Sequence, residues 1–153
     1  VLAKLKWFGT DGLARSSKLA AEAGAETVAL GGLPSTVFIP ATNPHQEEFI
    51  KRFRQRFGED PDSYSMNSYD AAWLIALSTM LTGSYDGEKI AQVLPKVAAM
   101  YYGITGTLEL DENGDRKAGD YGVFQLFSAG GGYEWKLAAV YHIDTDTVTP
   151  VQG

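Results

Sequence analysis

Within the stretch SYDAAWLIALSTMLTG, residues Ala71 to Leu77 form an unbroken apolar run of Ala, Ala, Trp, Leu, Ile, Ala and Leu. At 3.6 residues per turn such a run places apolar groups all round a helix, and a helix of that kind is buried on most sides. It is far short of the ~20 residues that a membrane span needs. The cover must come from the rest of the chain, which at 153 residues and 44% hydrophobic content is able to build a sizeable core.

The flanking segments read as further helices and strands. Phe49, Ile50, Phe53 and Phe57 make one apolar stripe, preceded by Asn43 as a cap, Pro44 at the first helical position and Gln46 where a capping box wants it. Gly58 closes that helix. Lys51, Arg52, Arg54 and Arg56 lie mainly off the stripe and read as a solvated face rather than as an anion patch. Ile90, Val93, Leu94 and Val97 give a third helix over about 87–100, which Pro95 should bend or end.

Val1 to Phe8 suits a strand covered on one face, Leu13 to Ala23 a short helix ending near Gly24, and STVFIPAT a strand stopped by Pro40. From Ile104 onward the period changes to two, and strands follow around the ENGD turn, in YGVFQLF and in WKLAAVYHI. The order of elements predicts an α/β chain with a mixed sheet.

The formal charge is −6 with no long basic run, so nothing points to nucleic acid. The absence of cysteine removes disulfides, thiolate nucleophiles and thiolate metal sites. The chain opens at Val1 in mid-pattern, with neither Met nor a signal peptide, and is expected to be a soluble piece of a longer protein.

Few residues carry chemistry. His45 and His142 are the two histidines, and they lack metal-ligand spacing. No GxSxG, P-loop or dinucleotide fingerprint is present, so an enzyme is unsupported, and no cofactor or metal is expected. Asp111, Asn113 and Asp115 alternate like the start of a calcium loop. Arg116 then stands where glycine is needed and Gly122 where the bidentate glutamate belongs, so an Asn-Gly turn is the better reading.

Asp11 sits between Gly9 and Gly12 in WFGTDG, directly after the first expected strand. Open α/β sheets bind ligands beyond the carboxyl ends of their strands, and the glycines permit close approach. Asp11 also suits the cap of the next helix, and from spacing both readings stay open. Tyr64 and Tyr69 are ambiguous between packing and a ligand wall.

Three segments in this order, WFGTDG, FIKRFRQRFGEDPDSYSMNSYDAAWLIALSTM and YYGITGTLELDENGDRKAGDYGVFQLF, resemble the C-terminal part of the type I periplasmic substrate-binding proteins of the branched-chain amino acid class. The resemblance covers nearly the whole chain. It implies an incomplete α/β fold of Rossmann-like lobes, with 1–39 and 121–153 in the second lobe, 44–118 in the first, and hinge crossings near 40–43 and 119–123. It further implies a solute-binding role in an ABC importer, with an amino acid or similar small polar ligand held between the lobes and half of the site outside this chain.

By the same resemblance Asp11 matches the acidic position that pairs with a ligand ammonium, flanked by Thr10 and Gly12, and Tyr64 matches an aromatic wall of the side-chain pocket. The family more often has glutamate at the first position. The implied partners are the ligand and a membrane permease, in a periplasmic or extracellular location, at the membrane surface where the organism has a single membrane. Homodimerisation or strand exchange is expected at edges left open. A sensory or regulatory domain of the same fold and, more remotely, an Asp-dependent α/β enzyme are the competing readings.

Overall fold

The structure is a computed structural model that describes residues 4–151. The chain divides into two compact units, one taking residues up to Ile39 and from Asp120 onward, the other Pro40–Gly119.

The first unit contains helix α1 (Ser17–Ala29), strand β1 (Ser35–Ile39), strands β4 (Asp120–Ala129) and β5 (Gly132–His142), and the short β6 (Thr147–Pro150). The strands form one sheet in the order β1-β4-β5-β6, every ladder antiparallel. β4 and β5 turn back on each other through Gly130 and Gly131, both at positive φ, a conformation glycine adopts without steric cost. One parallel bridge, Gly9 to Ser35, makes the sheet mixed.

Of the first expected strand, Val1 to Ala3 lie outside the described residues, and Lys4 to Phe8 form none. Gly9 alone reaches the edge of β1, through Gly9 N–H to Pro34 O at 2.9 Å and Thr36 N–H to Gly9 O at 3.3 Å. A strand needs a ladder of such bonds, and here the ladder is a single bridge.

Helix α1 also departs from expectation. It begins at Ser17 rather than Leu13, because Ser16 supplies the cap, its Oγ accepting from Leu19 N–H at 3.1 Å. It runs through Gly24 to Ala29, with a non-helical residue at Ala23. Gly24 lies against the Tyr133 ring, where a side chain would overlap the ring atoms, so this glycine serves close packing and not termination. Trp135 Nε1 donates to Ser16 O at 3.0 Å and ties β5 to the start of the helix.

The second unit holds α2 (Pro44–Phe57), α3 (Ser63–Thr82), α4 (Gly87–Met100) and a two-stranded hairpin of β2 (Tyr102–Gly103) and β3 (Gly106–Thr107). The period-two pattern after Ile104 forms only this hairpin and a bridge from Leu110 to Arg116, not a long strand. α4 passes through Pro95 to Met100, since Val97 and Ala98 pack with Leu74 and Leu108 in the core and hold the last turns in place. Asn43 caps α2 as its position predicts, through Gln46 N–H to Asn43 Oδ1 at 3.0 Å. Gln46 does not close a capping box. Its Nε2 donates to Ala41 O and Ile104 O, both at 3.1 Å, and so ties the start of α2 to the hairpin.

Helix α3 buries one row at i, i+4 spacing, Met66, Asp70, Leu74 and Ser78, against α4 and the hairpin. Trp73 and Ile75 are exposed among the described residues, so the apolar run is covered on one side rather than on most.

Ser78 Oγ is buried and lacks a hydrogen-bond partner among the described residues. Ser78→Ala removes that hydroxyl with little change in volume and is expected to raise stability by about 1 kcal/mol. Urea unfolding followed by circular dichroism measures the change, and a loss of stability would show that the hydroxyl is satisfied in solution.

Candidate functional site

The Asp11 loop is built on the Gly9 bridge. Thr10 O accepts from Leu13 N–H at 3.0 Å and from Ala14 N–H at 3.1 Å, which curls residues 11–15 into turns ahead of Ser16. Thr10, Asp11 and Gly12 are all exposed. Because Ser16 caps α1, capping that helix is not the role of Asp11. Gly9 is required by its neighbour, since a side chain there would overlap Ser35 Oγ, whereas Gly12 has open space around it. The approach that Gly9 permits is therefore that of Ser35, and Gly12 leaves room beside Asp11.

Tyr64 lies in the first turn of α3, behind the cap formed by Asp62, and is 53% exposed. Asp11 and Tyr64 belong to different units. Neither they nor Thr10 and Gly12 line the cleft of about 730 Å³ that opens in the second unit between α2 and α3.

His45 is exposed at that cleft, and His142 Nδ1 lies 2.8 Å from Asp120 Oδ2 at the head of β4. Among the described residues no three His, Asp or Glu side chains converge on a metal position. The ENGD segment is a turn closed by its own acid: Asp111 Oδ1 accepts from Asn113 N–H at 2.8 Å and Asp115 N–H at 2.9 Å. The Asp115 amide first, then those of Asn113 and Gly114, hold the Asp111 carboxyl below its usual range.

One polar centre escaped the sequence reading. Asp70 is 1% exposed, and its carboxylate accepts from Ile104 N–H at 2.9 Å, Thr105 N–H at 2.8 Å and the Thr105 hydroxyl at 2.5 Å. Arg116 donates to Thr105 Oγ1 at 2.9 Å, Thr105 O at 2.7 Å and Thr107 O at 2.8 Å. Thr105 thus relays between a buried carboxylate and a guanidinium. Gly103 makes this possible, because a side chain there would overlap the Asp70 carboxylate. The available signal was a lone carboxylate in the middle of an apolar helix, a residue type that is almost never buried without partners. The arrangement fastens the β2–β3 hairpin to α3 and is structural.

Residues 2–128 match the receptor family ligand binding region. The chain belongs to that family. An uncharacterized protein of Methanocaldococcus jannaschii is 33% identical over 96% of this chain and 37% of its own length. The Leu/Ile/Val-binding protein homolog 1 of Brucella suis is 30% identical over 80% of this chain and 32% of its own.

Among solved structures, the leucine binding protein LivK of Thermotoga maritima superposes with a TM-score of 0.57 at 26% identity, over 83% of this chain and 37% of that one. An ABC transporter substrate-binding protein of Desulfitobacterium hafniense, in complex with Leu, has a TM-score of 0.50 at 22% identity over 80% and 42%, a likeness of fold. This chain therefore spans about a third of the length of the curated relatives it matches. Its fold is the α/β fold of the type I periplasmic binding proteins, present in part. The family is one of ligand-binding regions and both solved neighbours are binding proteins, not enzymes.

Proposed function

We propose that this chain forms part of a two-lobed solute-binding protein that captures an amino acid or a similar small polar molecule and delivers it to a membrane permease of an ABC importer. The similarity to Leu/Ile/Val-binding proteins over 80% of the chain carries the reading. The division of the chain at Pro40 and again at Asp120 supports a double crossing between lobes. In this reading residues 1–39 and 121–153 belong to one lobe and 44–118 to the other, with the crossings acting as a hinge.

Asp11 is then the charge partner of the ligand ammonium, with Thr10 and Gly12 beside it, and Tyr64 lines the side-chain pocket from the other lobe. An ammonium enclosed by lobe closure requires such a partner, because its desolvation costs several kcal/mol. The protein works outside the cytoplasmic membrane. No helix among the described residues is long and apolar enough to cross one.

The test uses a polypeptide of the relatives' length in which this chain is joined to the region they carry and it does not. Calorimetric titration with leucine, isoleucine and valine is expected to give one site for at least one of them. Isoamylamine, which lacks the carboxylate, is expected to bind at least tenfold more weakly. No heat with any of the twenty amino acids would overturn the proposal.

A further inference from the structure

The loop that carries Asp11 leaves the sheet of the first unit at Gly9 and is tied back to it at Arg15. Gly9 bridges to Ser35, and Ser35 stands opposite Phe124 in the β1–β4 ladder, so the three residues form one row across the sheet. The Arg15 guanidinium lies over the Phe124 ring, 5.4 Å from its centre. The loop therefore starts and finishes on the same row.

The ring is a fixed platform. The side chains of Ile39, Phe124 and Leu137 close over Gly122, where an added Cβ would come within 2.7, 2.8 and 2.9 Å of them. The register of β4 and β5 shifts between Val123 and Phe124, an irregularity of the kind that re-aims a neighbouring side chain. Arg15 reaches this platform at a φ of 62°, a left-handed conformation in which the Cβ crowds the following carbonyl. A side chain that only faces water gives nothing to offset that strain, whereas a cation held over a ring does.

We infer that Arg15 is a positioning residue of the Asp11 loop: its guanidinium, stacked on Phe124, holds the turns of residues 11–15 against β4 and so keeps the Asp11 carboxylate where a ligand ammonium meets it. The bonds from Leu13 N–H and Ala14 N–H to Thr10 O, and from Ser16 N–H to Leu13 O at 3.2 Å, are internal to the loop and set its curl. Trp135 fastens the next residue, Ser16, from β5, and Arg15 carries that fastening into the loop itself. This role for Arg15 rests on the reading of Asp11 as the charge partner of the ligand, while the tie can be measured with no ligand present.

The substitution to use is Arg15→Asn, because asparagine tolerates the left-handed backbone and lacks the cation. In this chain the Leu13 and Ala14 amides are expected to exchange hydrogen about threefold faster in Arg15→Asn, with the melting temperature held. Phe124→Leu should reproduce the faster exchange, and Arg15→Lys, which keeps a cation over the ring, should restore the slower rates. In the polypeptide of the relatives' length, affinity for whichever of leucine, isoleucine and valine binds is expected to fall about threefold in Arg15→Asn. Loss of a cation from this loop would by charge alone favour an ammonium, so a fall reports position rather than charge. Unchanged exchange in Arg15→Asn would overturn the inference whatever the ligand. So would faster exchange with equal or higher affinity, because the tie would then order the loop without placing Asp11. Unchanged affinity in Asp11→Asn would instead remove the reading of Asp11 itself, and this role of Arg15 with it.

Discussion

Asp70→Asn is expected to lower the unfolding free energy of this chain by about 3 kcal/mol, although the side chain keeps its size. The carboxylate accepts three hydrogen bonds in a place that is 1% exposed. An amide offers one acceptor oxygen there and turns an N–H₂ group toward donors. At least one of Ile104 N–H, Thr105 N–H and the Thr105 hydroxyl loses its partner, at ~1–3 kcal/mol for each buried group left unsatisfied.

The Arg116 guanidinium then faces a Thr105 hydroxyl that no longer has a carboxylate behind it. Since a domain of this size has only about 5–15 kcal/mol of net stability, the melting temperature should fall by several degrees. Urea unfolding measures the loss, and a double-mutant cycle with Thr105→Val is expected to show coupling, because the two residues share one network. A loss below about 1 kcal/mol would mean that water enters and satisfies the hairpin amides.

Asp11→Asn carries the largest expected effect on binding. In the polypeptide of the relatives' length, amino acid affinity is expected to fall at least tenfold with thermal stability unchanged to within about 1 kcal/mol. A hydrogen bond to a charged group contributes ~1.5–3 kcal/mol, and every 1.4 kcal/mol is about a factor of ten in affinity. Stability should hold because Ser16 caps α1 and Asp11 is an exposed turn residue. Asp11→Glu keeps the charge and is expected to retain binding of an amino acid. Calorimetry on the two variants decides: equal affinity in Asp11→Asn and the unaltered protein would remove Asp11 from the site.

Features that depend on a few neighbouring residues were legible in the sequence. Asn43, Pro44 and Gly58 bound α2 as their types predict, because caps and left-handed closing residues act within one turn of the chain. Pro40 ends β1, and the ENGD turn holds Asp111 with its own amides. The motifs that carry the family resemblance were equally readable, and the match of residues 2–128 agrees with them.

Contacts between distant segments were not readable in this way. Gly24 reads as a helix stop from its type, yet it is a helix interior residue because Tyr133, over a hundred positions later, lies against it. The period-two pattern after Ile104 reads as a strand, yet the chain there turns at once, held by a carboxylate 34 residues earlier. Pro95 reads as a break, and core packing of Val97 and Ala98 carries the helix past it. The apolar run of α3 announces burial but not what supplies it.

Local chemistry therefore set the caps, the turns and the kind of each segment, since those energies arise between residues close in the chain. The extent of the elements and the Asp70 fastening were decided by tertiary packing, because their energies arise between side chains that only the folded chain brings together.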